Sequence, residues 1–292
     1  MASNLKNAGS GTEKTGNWLS RLLRRGGPVI PVIRLQGTIS SDQRPGRLNI
    51  ASVAPLLKRA FQVKQAPAVA LVINSPGGSP VQSRLISKMI RDLADEHGKQ
   101  VLVFVEDVAA SGGYFIAVAG DEIIADPSSI VGSVGVIYAG FGFEEAIAKL
   151  GIKRRIHTAG RNKSSLDPFV AEKPEDVERL KSFELDIHQV FIDHVKARRG
   201  DRLKGSDDEL FTGEWWTAMR GRDFGLIDGL GDMHTVLRER FGKKLVLRPI
   251  EPKRGLFQLP KLPFGSHINA GTITTETLAA LEDRALWSRF GL

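Results

Sequence analysis

The chain has 292 residues, of which 41% are hydrophobic and 25% are charged, and this balance is typical of a globular protein with a buried core. The length allows one large domain or two modest ones. Cysteine is absent, which excludes disulfides, thiolate metal sites and cysteine nucleophiles. The formal net charge of +8 attracts acidic partners only as a general field, and no zinc-finger spacing, basic zipper or aromatic RNA-binding motif accompanies it, so we expect no nucleic-acid binding.

The two ends of the chain differ from its middle. Residues 1–27 are rich in Gly, Ser, Asn and Lys, and we expect a mostly disordered basic leader without the apolar core of a signal peptide. Within it, residues 18–25 form a short basic, amphipathic segment, compatible either with a helix that packs on the body or with a weak anchor at an anionic membrane surface. Residues 251–292 are expected to be a C-terminal extension that ends in an amphipathic helix over 275–287.

Residues 28–250 form a single predicted domain. Short apolar runs predict strands over 28–35, 68–73, 101–105, 122–125, 153–157 and 245–250, and the glycine-punctuated stretch 131–138 is expected to be extended. Segments with helical spacing predict helices over 50–63, 79–97, 111–119, 144–150 and 174–199. This alternation indicates an α/β fold with largely parallel sheets. No apolar run reaches the roughly 18 residues of a membrane-spanning helix.

Two glycine-rich junctions, residues 74–78 and 110–113, lie where strands are predicted to end and helices to begin. Functional groups in open α/β sheets gather at such positions. In the second junction Ser111 is compatible with an ordinary helix cap, but Gly112 offers an unobstructed N–H at the positive end of the helix dipole. In the first, Gly77 and Gly78 let the backbone approach a ligand closely. Together the two turns offer the donors of an oxyanion hole.

A serine hydroxyl needs a base to act as a nucleophile at neutral pH. None of the six histidines lies in a glycine-flanked or motif-like context, and His157, at the end of a predicted strand, is the histidine that we keep as a candidate. A lysine serves as a base when burial or a neighbouring cation lowers its pKa. Lys163 follows the same predicted strand, although by itself it is equally compatible with a solvated loop charge.

Five segments carry a specific combination of residues. They are INSPGG at 73–78, VAASGGYFIA at 108–117, IVGSVGV at 130–136, GRNKSSLDPF at 160–169 and FTGEWWTAMRGRDFGLIDGLG at 211–231. As a set, in this order and spacing, they resemble the signal peptide peptidase A family of serine proteases, and the resemblance covers roughly residues 28–240. It implies a Clp protease/crotonase-like fold of repeated ββα units, here in the single-unit form.

The resemblance implies a role for each candidate residue. Ser111 matches the family's nucleophile and Lys163 its general base. Ser133 matches the serine that hydrogen-bonds and orients the lysine amine, although its position between two other loop residues is also compatible with a simple turn. The N–H groups of Gly77 and Gly112 match the oxyanion-hole donors. No metal and no cofactor is implied.

The activity that the resemblance implies is a serine endopeptidase that forms an acyl-enzyme. Its substrates are expected to be remnant signal peptides or other short or unfolded polypeptides, bound as extended strands in an apolar groove of a homo-oligomer. The familiar members carry an N-terminal membrane anchor, which we do not expect in this sequence. We therefore expect a cytoplasmic protein, or one peripheral on the inner face of the membrane, and signal peptides become a weaker expectation.

Two other functions stay open at this point. A crotonase-like acyl-CoA enzyme also surrounds an oxyanion with glycine N–H groups, and it would need a carboxylate acid or base, for which Glu106 and Asp107 are the candidates. A non-catalytic scaffold of the same fold is the other alternative. The presence of Ser111, Ser133 and Lys163 together argues against a scaffold.

Overall fold

The computed structural model of the protein describes residues 27–42, 44, 46–252, 280–281 and 283–292. The predicted basic leader, with its amphipathic residues 18–25, lies outside the described residues apart from Gly27. Of the helix predicted over 275–287, the described part is helical at 280–281 and 283–288. In the described part of the chain, no helix combines the length and the apolar character that crossing a membrane requires.

A largely parallel sheet forms the centre of the molecule. Its strands are β1 (Val29–Gln36), β4 (Ala68–Ser75), β5 (Gln100–Ala110), β6 (Glu122–Ala125), β7 (Ile130–Gly132), β8 (Trp215–Thr217), β9 (Gly229–Leu230) and β10 (Val246–Pro249). The parallel strand order is β10-β1-β4-β5-β6-β9. Beyond β6, the carboxyl end of β5 pairs in parallel with β7, and β7 pairs antiparallel with β8. A separate two-stranded sheet contains β2 (Thr38–Ile39) and β3 (Arg47–Leu48).

Helices cover the sheet and connect its strands. They are α1 (Ile50–Phe61), α2 (Pro80–His97), α3 (Gly112–Ala117), α4 (Glu144–Lys149), α5 (Pro174–Arg199), α6 (Asp207–Leu210), α7 (Ala218–Asp223) and α8 (Met233–Phe241). The helix ends follow from local chemistry. Asn49 caps α1 with a reciprocal bond to Ser52, Ser79 caps α2 just before a proline, and Gly98 ends α2 in the left-handed conformation.

The core lies on both faces of the two central strands. All eight residues of β4 are buried, as expected for a parallel strand that helices cover on both sides. One face of the sheet packs against α1, α2 and α3. The other face packs against α8 and the apolar residues that follow it, Leu245 and Leu247. This core positions the carboxyl ends of β4 and β5 side by side.

Two sequence predictions differ from the structure. Residues 153–157 are exposed and unpaired, so the strand predicted there is wrong. They belong to a protruding segment, residues 138–173, that we call the arm, whose α-helical part is α4. The stretch predicted as extended over 131–138 is a strand only through Gly132, whose φ of 103° breaks the pleat.

The end of the chain returns to the body of the protein. Phe290 is buried against Val108 and Ala110, at the far end of β5. Asp283 accepts a hydrogen bond from Arg47 at 3.0 Å. The C-terminal extension therefore reaches the sheet edge at which β5 ends.

Candidate active site

Ser111 lies at the sharp turn between β5 and α3. Its φ of 50° and ψ of −123° are unusual for a residue with a side chain, and its N–H donates to the carbonyl of Gly132 at 2.9 Å. Its side chain makes no capping hydrogen bond, so the hydroxyl does not cap the N-terminus of α3. A strained strand-to-helix turn that leaves the hydroxyl available is the geometry of a serine nucleophile.

Gly77 lies directly against this turn. A Cβ at Gly77 would lie 2.7 Å from the Cβ of Ser111 and 2.8 Å from the nitrogen of Gly112, and the φ of 102° also favours glycine. The two glycine-rich junctions are thus in contact. The sequence places both at strand ends, and the structure brings them together.

The backbone donors around Ser111 differ in how they are used. The N–H of Gly77 donates to the hydroxyl oxygen of Ser75 at 3.3 Å. The N–H groups of Gly78 and Gly112 have no hydrogen-bond partner among the described residues. These two free donors lie close together, because the Gly78 nitrogen is 3.3 Å from where a Cβ of Gly112 would be. Free, preorganised N–H groups of this kind can hold an oxyanion.

Ser133 is the second serine of the site. It follows Gly132, which pairs with Ala110, so Ser111 and Ser133 emerge from adjacent strands at the same level. Ser133 is buried, has a φ of 55°, and donates its N–H to the carbonyl of Glu214 at 2.7 Å. Its hydroxyl has no hydrogen-bond partner among the described residues.

A pocket of about 430 Å³ opens at Ser111. Its walls come from α2, α3, α5, the loop after Ser133 and the C-terminal segment. Most of the lining is apolar, including Val81, Phe115, Val136, Ile137, Val190 and Leu286. An apolar pocket beside a nucleophile can bind an apolar side chain of a substrate.

Lys163 does not meet Ser111 within the chain. It is an exposed residue of the arm, its side chain has no hydrogen bond or ion pair within the described residues, and no arm residue lines the pocket at Ser111. His157 is likewise exposed on the arm. A single copy therefore brings together Ser111, Ser133, Gly77 and Gly112, but neither of the two candidate bases.

The carboxylates that an acyl-CoA enzyme would need are used elsewhere. Glu106 pairs with Arg34, and Asp107 accepts a hydrogen bond from the Asn74 amide at 2.5 Å. Neither lines the pocket. Across the described residues, His, Asp and Glu form no group of three or more suited to a metal ion.

Two histidines of α5 support the site, and our sequence analysis did not assign them a role. The ring N–H of His188 donates to the carbonyl of Val134, next to Ser133, over 3.0 Å. His194 stacks on Phe115 with ring centroids 4.1 Å apart, and burial lowers its pKa to about 4. Both lie three residues from buried Phe191, on the same face of the helix. That spacing is the sequence signal from which their orientation toward the body could have been predicted.

A largely buried cluster of charged residues lies next to Tyr114 of α3. Arg199 is almost fully buried and forms a bidentate ion pair with Asp228, at 2.8 and 3.0 Å. Burial opposes ionisation of Asp228, but the bonds and charge of Arg199 hold its pKa below the usual range. Tyr114 of α3 donates to the Leu226 carbonyl at 2.7 Å, and its burial raises the pKa of that phenol.

Comparison with known proteins places this geometry in context. Residues 94–245, which include Ser111, Ser133 and Lys163, match the family model described as Peptidase family S49. Protease 4 of Haemophilus influenzae is 32% identical over 221 residues, covering 72% of this chain and 34% of that protein. Serine protease SPPA, chloroplastic, of Arabidopsis thaliana is 28% identical over 245 residues, covering 82% of this chain and 34% of that protein.

A third relative carries a different name. A Brucella abortus protein named Na(+)/H(+) antiporter NhaA is 54% identical over 275 residues, covering 90% of this chain and 37% of that protein. The chain thus spans about a third of the length of these curated relatives.

A solved structure shows the same fold. A mutant of the 1510-N membrane-bound stomatin-specific protease matches with a TM-score of 0.50 and 15% identity, covering 78% of this chain and 99% of that chain. At this identity the likeness concerns the fold alone. Together with the parallel sheet order, it confirms the predicted Clp protease/crotonase-like α/β fold.

Proposed function

The chain belongs to peptidase family S49, and from this premise we propose that it is a serine endopeptidase with Ser111 as its nucleophile. The observation that carries the proposal is the conformation of Ser111, whose strained turn leaves the hydroxyl uncommitted at the mouth of an apolar pocket. Backbone strain of this kind persists where the surrounding structure maintains it, and it concentrates at functional sites.

The proposed reaction is acyl transfer. The Ser111 hydroxyl attacks a peptide carbonyl, and the oxyanion is held by the N–H of Gly112 and by the Gly77–Gly78 turn, in which Gly78 has the uncommitted N–H. A base takes the proton of Ser111 and passes it to the leaving amine, after which water hydrolyses the acyl-enzyme. The product is a cleaved peptide and a regenerated serine.

We propose Lys163 as that base, delivered by a neighbouring copy of the chain. The support is that Lys163 is exposed on the arm and has no partner among the described residues, while Ser111 lies in a pocket that no arm residue of the same copy lines. The arm also exposes large apolar side chains, among them Phe141 at 75% and Leu150 at 74%. Apolar surface of this kind is typical of a protein–protein interface, so the proposal includes a homo-oligomer.

In this arrangement the hydroxyl of Ser133 orients the amine of Lys163 by a hydrogen bond. Ser133 follows the strand next to that of Ser111, and its hydroxyl lacks a partner among the described residues, so it is free to accept a hydrogen bond from an arriving amine. The neutral form of the amine is the one that can act as the base.

Co-expression of two inactive variants tests this mechanism. Ser111→Ala and Lys163→Ala are each expected to lose peptidase activity, and Lys153→Ala, an exposed lysine of the same arm, serves as the matched control that keeps it. Assemblies that contain both inactive variants should regain partial activity, because some sites then combine an intact serine with an intact lysine. Activity of Lys163→Ala alone would exclude the dyad, and mixed assemblies without activity would exclude a base from another copy.

The proposed substrates are short or unfolded polypeptides, including remnant signal peptides, bound as extended strands. The apolar pocket of about 430 Å³ at Ser111 supports an apolar side chain next to the scissile bond. Mass spectrometry of the products from a peptide library, with Ser111→Ala as the control, gives the cleavage preference. A location in the cytoplasm or at the inner face of the membrane stays a prediction from the sequence.

Two alternatives are weaker on the geometry. A crotonase-like acyl-CoA enzyme lacks its carboxylate, because Glu106 and Asp107 are both engaged outside the pocket. Ion transport is suggested only by the name of the Brucella relative, and the peptidase-family match falls largely within the part that this chain shares with it. Labelling of Ser111 by a fluorophosphonate separates a peptidase from a non-catalytic scaffold.

A further inference from the structure

The C-terminal segment, of which the structure describes residues 280–281 and 283–292, shares the pocket of the nucleophile. Leu286 and Arg289 line the same pocket of about 430 Å³ as Ser111 and Phe115. The family match ends at residue 245, so this wall lies outside the part of the chain that defines the family.

The segment is anchored to the body at both ends. Phe290 is 7% exposed, packs on Val108 and Ala110, and meets the Trp215 ring edge-on with centroids 5.9 Å apart. Asp283 accepts a hydrogen bond from Arg47, whose side chain is 10% exposed, at 3.0 Å. An apolar anchor and an ionic one therefore bracket the two pocket residues.

The spacing along the helix over 283–288 and the turn that follows it explains the orientation of the segment. Asp283, Trp287 and Phe290 recur at intervals of three and four residues and contact the body. Leu286 and Arg289 are three residues apart and border the pocket together. The wall thus offers one apolar side chain and one cation toward the nucleophile.

The charged side chains that line this pocket are all positive. Arg289 and Arg84, from α2, both line the pocket, and neither has an ion-pair partner in the part of the chain that the structure describes. No Asp or Glu is among the described lining residues. A guanidinium binds a carboxylate through charge-assisted, commonly bidentate hydrogen bonds. The group that complements this pocket is an apolar side chain next to a carboxylate.

We propose that the C-terminal segment, through residues 283–292, forms a wall of the substrate pocket, and that Arg289 with Arg84 makes the site prefer peptides carrying a carboxylate beside the apolar side chain. The proposal rests on the proposed peptidase function for the identity of its ligand. The carboxylate has two sources, an acidic side chain or the free end of a peptide, and the test distinguishes them.

Binding measured without cleavage tests the proposal. The full chain with Ser111→Ala is titrated, by fluorescence anisotropy, against three labelled peptides that share one apolar core: one with Gln and a blocked end, one with Glu and a blocked end, and one with Gln and a free carboxyl end. At low salt we expect a carboxylate peptide to bind about threefold more tightly than the neutral one, as for an exposed ion pair. The preference should shrink in high salt.

Substitutions in the same background identify the residues. Arg289→Gln and Arg84→Gln should each lower the preference, while Arg284→Gln, an exposed arginine of the same segment that does not line the pocket, should preserve it. Equal affinity for all three peptides, or the same effect of Arg289→Gln and Arg284→Gln, overturns the proposal.

The peptidase function has a separate readout. Wild-type protein that neither cleaves peptides nor reacts with a fluorophosphonate contradicts the peptidase function, whatever the binding preference. Protein that cleaves and reacts, but binds charged and neutral peptides alike, contradicts only the role of the C-terminal wall.

Discussion

Ser111 and Ser133 lie side by side because each follows directly on one member of the strand pair Ala110–Gly132. The N–H of Ser111 donates to the Gly132 carbonyl at 2.9 Å, and the two serines have φ values of 50° and 55°. A residue with a side chain in such a conformation costs on the order of 1–3 kcal/mol. The pairing of β5 with β7 therefore maintains two strained residues at the mouth of the pocket.

The strain at Ser111 predicts a difference between two inactive variants. Ser111→Ala and Ser111→Gly both remove the hydroxyl and should both abolish peptidase activity, but glycine adopts a φ of 50° without the steric cost. We expect Ser111→Gly to have a free energy of unfolding about 1 kcal/mol higher than Ser111→Ala. Urea denaturation of the two variants measures it, and a more stable alanine variant would contradict the strain.

The contact of Gly77 with the nucleophile predicts a loss of activity without a general loss of fold. Gly77→Ala would place a Cβ 2.7 Å from the Ser111 Cβ and 2.8 Å from the Gly112 nitrogen. Because this displaces both nucleophile and donor, we expect kcat/KM to fall by about 100-fold or more. The rate of fluorophosphonate labelling should fall with it.

Gly98→Ala is the matched control for backbone strain. Gly98 also has a positive φ, 58°, but nothing lies within 4 Å of where its Cβ would be. This variant should lose about 1 kcal/mol of stability and keep its activity. A similar loss of activity in both variants would mean that strain, rather than the contact with Ser111, explains the effect.

The sequence predicted most of the fold because its two central strands begin with the unbroken apolar runs 68–73 and 101–105. The runs at β4 and β5 have no polar face, and only strands covered on both sides tolerate that pattern. The strand predicted over 153–157 failed for a physical reason. The run is mainly cationic there, and it lies on the arm, where it pairs with no strand of the described sheet, so Ile156 stays exposed.

The site was predictable in part. The glycines and serines at the ends of β4, β5 and β7 follow from local turn chemistry, which a sequence records directly. Lys163 is different, because its neighbours describe a loop without indicating where that loop lies. Arg289 lines the same pocket as Ser111 because the neighbouring Phe290 is buried against the body, and local patterns carry no information on such long-range packing.

The ion pair behind α3 predicts a large loss of stability. Asp228→Asn removes the charge that compensates Arg199, whose side chain is 1% exposed, and we expect a cost of about 3 kcal/mol. Asp223→Asn, a neighbouring exposed carboxylate paired with Arg222, should cost little. Because the Asp228 pKa is lowered in the folded state, its contribution is present above the ordinary aspartate pKa and lost as pH falls through the folded value. Denaturation curves below pH 4 measure that loss.

His194 predicts a second acid-sensitive step at higher pH. Burial lowers its pKa from 6.5 to about 4, so the unfolded chain binds a proton that the folded chain refuses between these values. The free energy of unfolding should fall as pH drops through this range, by on the order of 3 kcal/mol in total. His194→Gln should flatten the slope, since a neutral amide does not titrate, whereas His234→Gln, at an exposed position of α8, should retain it. A wild-type slope in His194→Gln would assign the acid sensitivity to another group, and the Ser87–His194–Phe115 contact would then be packing alone.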